Sequence, residues 1–272
     1  MAAAGRRRYN PRMNDTELLD LAAGLARKAA AAIEAVKRAG FVVERKTDES
    51  PVTEADRIAE ALIVEGLRAA TPDAPVVAEE EAEAGVVPAA AAAARRFWLV
   101  DPLDGTKGFA AGSGEYAVCI GLVEEGRALL GAIALPATGE LFGGLIGAGA
   151  WKEAGGEGGG PRRPIRVRPA PEGGIVALVS RRYADDPRLV RFLAGRRVAE
   201  RRGLSSALKF CRVAEGEADL YARFGPTMEW DSAAGQAIVE AAGGAVVDLD
   251  AAPLRYGKPG WRNPDFVCHG GA

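Results

Sequence analysis

The chain has 272 residues, a net charge of −2 and 48% hydrophobic residues. That length supports one large domain or two modest ones with a buried core. The near-neutral charge argues against a nucleic-acid or membrane-surface binder, since both usually carry a basic excess. A single histidine, His269, and three scattered cysteines, Cys119, Cys211 and Cys268, argue against a histidine-based triad, a zinc centre or a disulfide framework. Catalysis would then run on carboxylates, hydroxyls, lysines or a hard metal ion.

Residues 1–12 hold an arginine cluster with no apolar run behind it, so they read as a disordered leader before Met13 rather than a secretory signal. No apolar run reaches the ~18 residues that suggest a membrane span. Asn14 to Arg38 reads as an amphipathic helix, capped by Asn14 with Glu17 and stopped at Gly40. Phe41 to Val43 is a short expected strand, and a polar loop runs from Lys46 to Pro51. A second helix is expected from Thr53 to Ala69, then a strand at Val76 to Ala78 that ends in Glu79-Glu80-Glu81. Gly85 to Ala94 is a short helix or a loose connection.

Phe97 to Val100 is strand-like and breaks into Asp101-Pro102-Leu103-Asp104-Gly105-Thr106. Tyr116 to Val123 and Ala128 to Ala134 form a hairpin around Glu124-Glu125-Gly126-Arg127, with a third strand at Leu141 to Ile146. The Gly/Pro-rich Gly155 to Pro164 marks the expected boundary between a domain at 13–154 and another at 165–272. Beyond it come a strand at Ile175 to Val179, helices at Pro187 to Leu193 and Ser206 to Glu215, and a strand at Leu220 to Ala222. A small-residue helix at Asp231 to Ala242 and a strand at Ala245 to Leu249 follow. The fold class expected is a layered α/β, or α+β, mixture.

Asp101 and Asp104 flank a turn in which Pro102 fixes φ and Gly105 permits a conformation other residues resist. Their carboxylates can face one point with the Leu103 carbonyl between them, an oxygen-donor set suited to magnesium. Thr106 adds a hydroxyl at the same edge. Glu79 is either part of a solvated acidic run or a further acid at a strand end. Asp231 is either an N-cap or part of a helix start whose small residues let a phosphate approach. Thr53 and Asp56 have capping-box spacing.

SPVTEAD (Ser50 to Asp56), AEEE (Ala78 to Glu81), WLVDPLDGTKGF (Trp98 to Phe109) and EWDSAAG (Glu229 to Gly235) occur in that order. They resemble the successive motifs of the inositol monophosphatase superfamily of lithium-sensitive, magnesium-dependent phosphatases. The resemblance covers nearly the whole chain and implies alternating helix and sheet layers, an αβαβα sandwich. It implies two or three Mg2+ ions per site, held by Glu79, Asp101, Asp104, Asp231 and the Leu103 carbonyl. It also implies an Asp56–Thr106 dyad that orients the attacking water, phosphate held at Gly105 and Thr106, and Lys46 near the outer metal-bound waters.

KTDESPVTEAD (Lys46 to Asp56), Lys107, Ser205-Ser206-x-x-Lys209 and Tyr221 to Thr227 resemble the CysQ branch, 3′(2′),5′-bisphosphate nucleotidases. That implies a small phosphorylated nucleotide as substrate, with Ser206, Lys209 and Arg223 around its second phosphate, and a role in sulfur assimilation. A fixed cationic pair favours such a dianion over a singly phosphorylated polyol, although solvated surface charge is the ordinary fate of Lys209 and Arg223. Glu229 departs from the family pattern and either alters metal affinity or faces solvent. The resemblance further implies a cytoplasmic monomer or homodimer, with peripheral association at the inner membrane as an alternative.

Rival readings are inositol-1-phosphate or fructose-1,6-bisphosphate hydrolysis on the same scaffold, and a non-catalytic nucleotide sensor. A haloacid-dehalogenase phosphatase needs its acid/base partner two residues after the nucleophile, whereas Asp101 and Asp104 stand three apart.

Overall fold

The computed structural model describes residues 13–45, 51–155 and 159–271. The leader at 1–12 and Lys46 therefore lie outside the described residues. Helix α1 (Asp15–Ala39) begins at Asn14, whose side chain accepts from the Glu17 amide at 3.0 Å, while the Glu17 carboxylate accepts from the Asn14 amide at 2.7 Å. Strands β1 (Val43–Arg45) and β2 (Pro51–Thr53) form a small antiparallel ribbon. The strand expected at Phe41 to Val43 is displaced because pairing partners exist only from Val43 onward.

Helix α2 (Glu54–Ala70) and strand β3 (Val76–Ala78) lead into α3 (Glu79–Glu83). The acidic run is thus a five-residue helix rather than a solvated tail of the strand. Gly85 to Ala94 is irregular apart from one 3-10 turn at Ala91–Ala93. Strand β4 (Arg96–Asp104), helix α4 (Thr106–Ala110) and strands β5 (Ala117–Glu124), β6 (Arg127–Leu135), β7 (Glu140–Leu145), β8 (Gly149–Glu153) and β9 (Arg163–Ile165) follow. They pair in the order β3-β4-β5-β6-β7-β8-β9. The last of these strands begins inside the segment expected to divide the chain.

Next come β10 (Ile175–Ser180), α5 (Pro187–Ala194), β11 (Val198–Leu204), α6 (Leu208–Ala214) and β12 (Leu220–Arg223). Helix α7 (Ala233–Ala241), β13 (Ala245–Asp248) and β14 (Phe266–His269) complete a second sheet of order β11-β10-β12-β14-β13. Period-2 alternation assigns each sheet face to its own layer. In β4, Trp98 and Val100 join α1 and α2 in one core, whereas Phe97 and Leu99 join α6 and α7 in another. In β10, Leu178 faces that same central core, whereas Ala177 and Val179 pack with Leu189 and Leu193 of α5. The result is the αβαβα sandwich: α1/α2, seven-stranded sheet, α6/α7, five-stranded sheet, α5.

A row of glycines sets how closely α7 lies on the first sheet. Gly121, Gly131 and Gly144 are cross-strand partners on β5, β6 and β7. A Cβ on Gly121 would sit 2.8 Å from the Ala234 nitrogen, one on Gly131 2.3 Å from the Ala234 oxygen, and one on Gly144 2.6 Å from the Ile238 Cα. The helix backbone therefore rests directly on the strand backbones. The facing helix residues are small for the same reason: Ala233, Ala234, Ala237 and Ala241.

Candidate active site

Strict alternation along β4 would send Asp101 and Asp104 to opposite faces. The β4–β5 register instead pairs Asp101 with Cys119 and Asp104 with Ala117, so three steps on one strand answer two on the other. This single extra residue is a β-bulge between Asp101 and Asp104, where Pro102 has no amide hydrogen to give to the ladder. The bulge restores parity: Cys119 and Ala117 both face the central core, and both aspartates follow them. Gly105, at φ +96°, turns the chain from β4 into α4 and places Thr106 at the helix start.

The Thr106 hydroxyl lies 3.0 Å from Asp56 Oδ1 and 2.9 Å from the Leu103 carbonyl oxygen, and it can donate to one of them at a time. The other oxygen of Asp56 accepts from the Thr53 amide and the Thr53 hydroxyl, each at 2.7 Å. One carboxylate thus closes the capping box of α2 and holds Thr106. Its two oxygens divide roles that the sequence made look exclusive.

Asp101 is buried, and its carboxyl is raised well above the usual range by that burial, by Glu79, with which it is within hydrogen-bonding reach, and by Asp104 and Asp231. Burial also raises Asp104, against the pull of Lys209, the Ala207 amide and Arg223. Asp231 is pushed up to about 7 by burial and by Asp104, with the Met228 amide and Arg223 opposing. The four acids therefore repel one another within one neighbourhood. Each aspartate also commits an oxygen to a backbone amide: Asp101 to Leu103 at 3.0 Å, Asp104 to Ala207 at 2.5 Å and Asp231 to Met228 at 2.9 Å. Among the described residues, no three acidic, histidine or cysteine side chains meet as a preformed cation cage. What fits a divalent ion is the donor chemistry: crowded, partly or fully buried oxygen anions whose repulsion a hard cation relieves.

Asp231 does not cap α7. Ser232 stands at the cap position, and Asp231 turns back to the Met228 amide. Glu229 neither faces solvent nor joins the acids. It is fully buried, accepting from the Gly257 and Lys258 amides at 2.7 and 3.0 Å and pairing with the Lys258 ammonium at 2.6 Å. Asn263 braces the same turn, donating to the Met228 carbonyl at 2.7 Å and to the Ser232 hydroxyl at 2.8 Å.

Lys209 is not surface charge either. It is 2% exposed and donates to the Leu204 carbonyl at 3.2 Å and the Ser206 carbonyl at 2.5 Å. Burial lowers its ammonium to about 7, with Asp104 opposing. Arg223 is half-buried, donates to the Gly225 and Pro226 carbonyls and lies over the Tyr183 ring at 5.0 Å. Asp104, Ser206, Lys209, Arg223 and Asp231 line one cleft of about 100 Å³. Ser206 takes a left-handed φ of 54°, and its Cβ would lie 3.2 Å from a Cβ on Gly105. Glycine at 105 is what allows the 205–207 turn to close over the bulge.

Two acids outside the sequence motifs support this arrangement. Glu60 accepts from the Glu80 and Glu81 amides at 2.8 and 2.9 Å. Glu115 accepts from the Ser205 amide at 2.9 Å and forms an ion pair with Arg181. Glu60 has one legible signal, the four-residue step that puts it on the same face of α2 as Asp56, whereas Glu115 has none.

Among the described residues, no helix is long and apolar enough to cross a membrane. The chain is 42% identical to the 3′(2′),5′-bisphosphate nucleotidase CysQ of Salmonella typhimurium over 252 residues, covering 92% of this chain and 98% of the relative. The CysQ of Escherichia coli K12 is 41% identical over the same share of each chain. The crystal structure of CysQ from Bacteroides thetaiotaomicron superposes with a TM-score of 0.77 at 33% identity, covering 94% of this chain and 98% of that one. An inositol monophosphatase from Anabaena superposes with a TM-score of 0.75 at 27% identity, covering 95% and 92%. A family model matches residues 14–265, a span that takes in the bulge with its paired aspartates, the Asp56–Thr106 contact and the turn before α7. Fold, motif order and full-length similarity agree, and the chain belongs to the inositol monophosphatase family of metal-dependent phosphatases.

Proposed function

We propose that the protein is a magnesium-dependent 3′(2′),5′-bisphosphate nucleotidase, hydrolysing 3′-phosphoadenosine 5′-phosphate to AMP and phosphate in the cytoplasm. The observation that carries the substrate class is the buried Lys209 and half-buried Arg223 beside Asp104 and Asp231 in one cleft. Two cations held by backbone carbonyls are prearranged for a second phosphate, and little side-chain entropy remains to be lost on binding. The full-length similarity to CysQ enzymes supports the same reading.

Glu79, Asp101, Asp104, Asp231 and the Leu103 carbonyl would hold two or three Mg2+ ions. When bound, such ions supply charge neutralisation and an acidified water. The protein's own work is orientation. Asp56 accepts from the Thr106 hydroxyl, which leaves the Thr106 oxygen free to accept a proton from the attacking water. The water oxygen bonds to phosphorus as its proton passes to Thr106 and the Thr106 proton to Asp56, the bond to the 3′-oxygen breaks, and that oxygen leaves with a proton drawn from solvent. The Gly105 and Thr106 amides at the start of α4 face the phosphate oxygens, and Ser206 hydrogen-bonds beside Lys209.

The test is phosphate release with Mg2+ from 3′-phosphoadenosine 5′-phosphate, inositol 1-phosphate and fructose 1,6-bisphosphate on one preparation. A kcat/KM preference of about a hundredfold or more for the nucleotide is expected, the scale a dedicated polar subsite provides. Equal rates or a polyol preference would overturn the substrate assignment and keep the phosphatase. Silence on all three would point to a non-catalytic sensor.

A further inference from the structure

Helix α3 begins with Glu79 and has no cap of its own. The residue at its cap position is Ala78, which makes no side-chain hydrogen bond to the helix. A five-residue helix without a cap is marginal, because its first amides have no partner within the helix. Those amides are met from elsewhere: both Glu60 oxygens are used, one on the Glu80 amide and one on the Glu81 amide. Glu60 is 6% exposed and projects from α2 one turn after Asp56. Glu81 is fixed from its other side by a two-pronged pair with Arg68 of α2, at 2.9 and 2.6 Å.

We propose that Glu60 is a positioning residue that sets Glu79 for metal binding by capping α3 from α2. The proposal rests on the reading of Glu79 as a metal ligand. Two side chains one helical turn apart then align two parts of the site. Asp56 holds Thr106 and Glu60 holds the first turn of α3, so the register of a single helix fixes the water-orienting hydroxyl relative to the acid at 79. A carboxylate is needed because both of its faces accept. A carboxamide offers one acceptor and presses its NH2 group on the second amide.

Calorimetric titration of Mg2+ or Mn2+ into the metal-free protein reads the effect without turnover. Wild type, Glu60→Gln, Glu60→Asp and Glu79→Gln are compared, with melting temperature recorded for each. Glu60→Gln is expected to weaken metal binding about tenfold or more, within the 10–100-fold range for residues that orient ligands. The half-saturating Mg2+ concentration for turnover should rise in step, while kcat at saturating Mg2+ stays within about threefold. Glu60→Asp, which keeps a carboxylate on a shorter arm, should recover part of the loss even if the glutamine variant folds poorly. If Glu79→Gln loses affinity and neither Glu60 variant does, the positioning role is wrong and the ligand assignment stands. If Glu79→Gln binds like wild type, or wild type binds no metal, the ligand reading fails and the proposal falls with it.

Discussion

Gly131→Ala adds one methyl group at the point where α7 rests on the first sheet. Its Cβ would lie 2.3 Å from the Ala234 oxygen and 2.6 Å from the Ala234 Cα, against an ordinary contact of 3.4 Å or more. Both obstacles are backbone, so no side chain can swing aside, and the helix must retreat by about 1 Å or the strand must bow by as much. Overpacking of this kind costs about 1–3 kcal/mol, a fall of roughly 2–5 °C in Tm for a chain of this size. Asp231 lies two residues before α7 and moves with it. A misplacement of ~1 Å at a reacting centre costs about 100-fold in rate, so kcat/KM should fall by that order and the Mg2+ requirement should rise. Gly24→Ala is the matched control: no atom lies within 4 Å of its Cβ, and replacing a helical glycine in α1 should be neutral or stabilising by up to ~1 kcal/mol. Turnover of the Gly131 variant within twofold of wild type, with the expected fall in Tm, would show that α7 does not hold Asp231 in place. An unchanged Tm as well would refute the packing argument itself.

Thr106→Val should lower kcat by about 10²–10⁴ with little change in Tm, whereas Asp56→Asn should match that loss and also cost about 1 kcal/mol, because it weakens the α2 cap; equal Tm values for the two would count against the shared role of Asp56. Glu229→Gln should destabilise by about 1–3 kcal/mol, since its NH2 group would face one of the Gly257 and Lys258 amides in a buried site, yet shift Mg2+ affinity less than about twofold; a larger metal effect in titration would place Glu229 back at the site. Stability of the metal-free protein should fall as pH rises. Burial raises Asp231 to about 7, so the stability its protonated form confers is full below the unfolded value of about 4 and is lost as pH climbs through about 7. Lys209 stays protonated in both states across most of that window and adds little slope. Mg2+ should therefore raise Tm more at about pH 7.5 than at about pH 5, and a pH-independent shift in thermal melts would contradict the crowding of acids at the site.

Much of the fold was legible because its signals are local. The capping box at Asn14, the hairpin at Glu124 to Arg127 and the periodicity of α2 each sit within a few residues. β9 and β11 are not legible locally because their sequences, Arg163-Pro164-Ile165 and Val198 to Leu204, carry little hydrophobic alternation. They are strands because a neighbour in the sheet supplies partners, which is information held far away in the chain. The site divides along the same line. Asp101, Asp104, Gly105 and Thr106 announced themselves through one compact turn. The meaning of Lys209, Glu229 and Glu60 depends on burial and on backbone partners 20 to 29 residues away, or on a turn whose shape the local sequence does not declare. A charged residue in an arginine-rich chain reads as surface until the fold encloses it. Asp56 shows the general reason. Its capping-box spacing with Thr53 was visible and so was its motif, yet their compatibility was not, because it required knowing that the second carboxylate oxygen points at Thr106, 50 residues on. Sequence spacing reports which residue types can cooperate, but only the packed structure assigns each oxygen its partner, and in a site built from acids that assignment decides which of them stay available for metal and water.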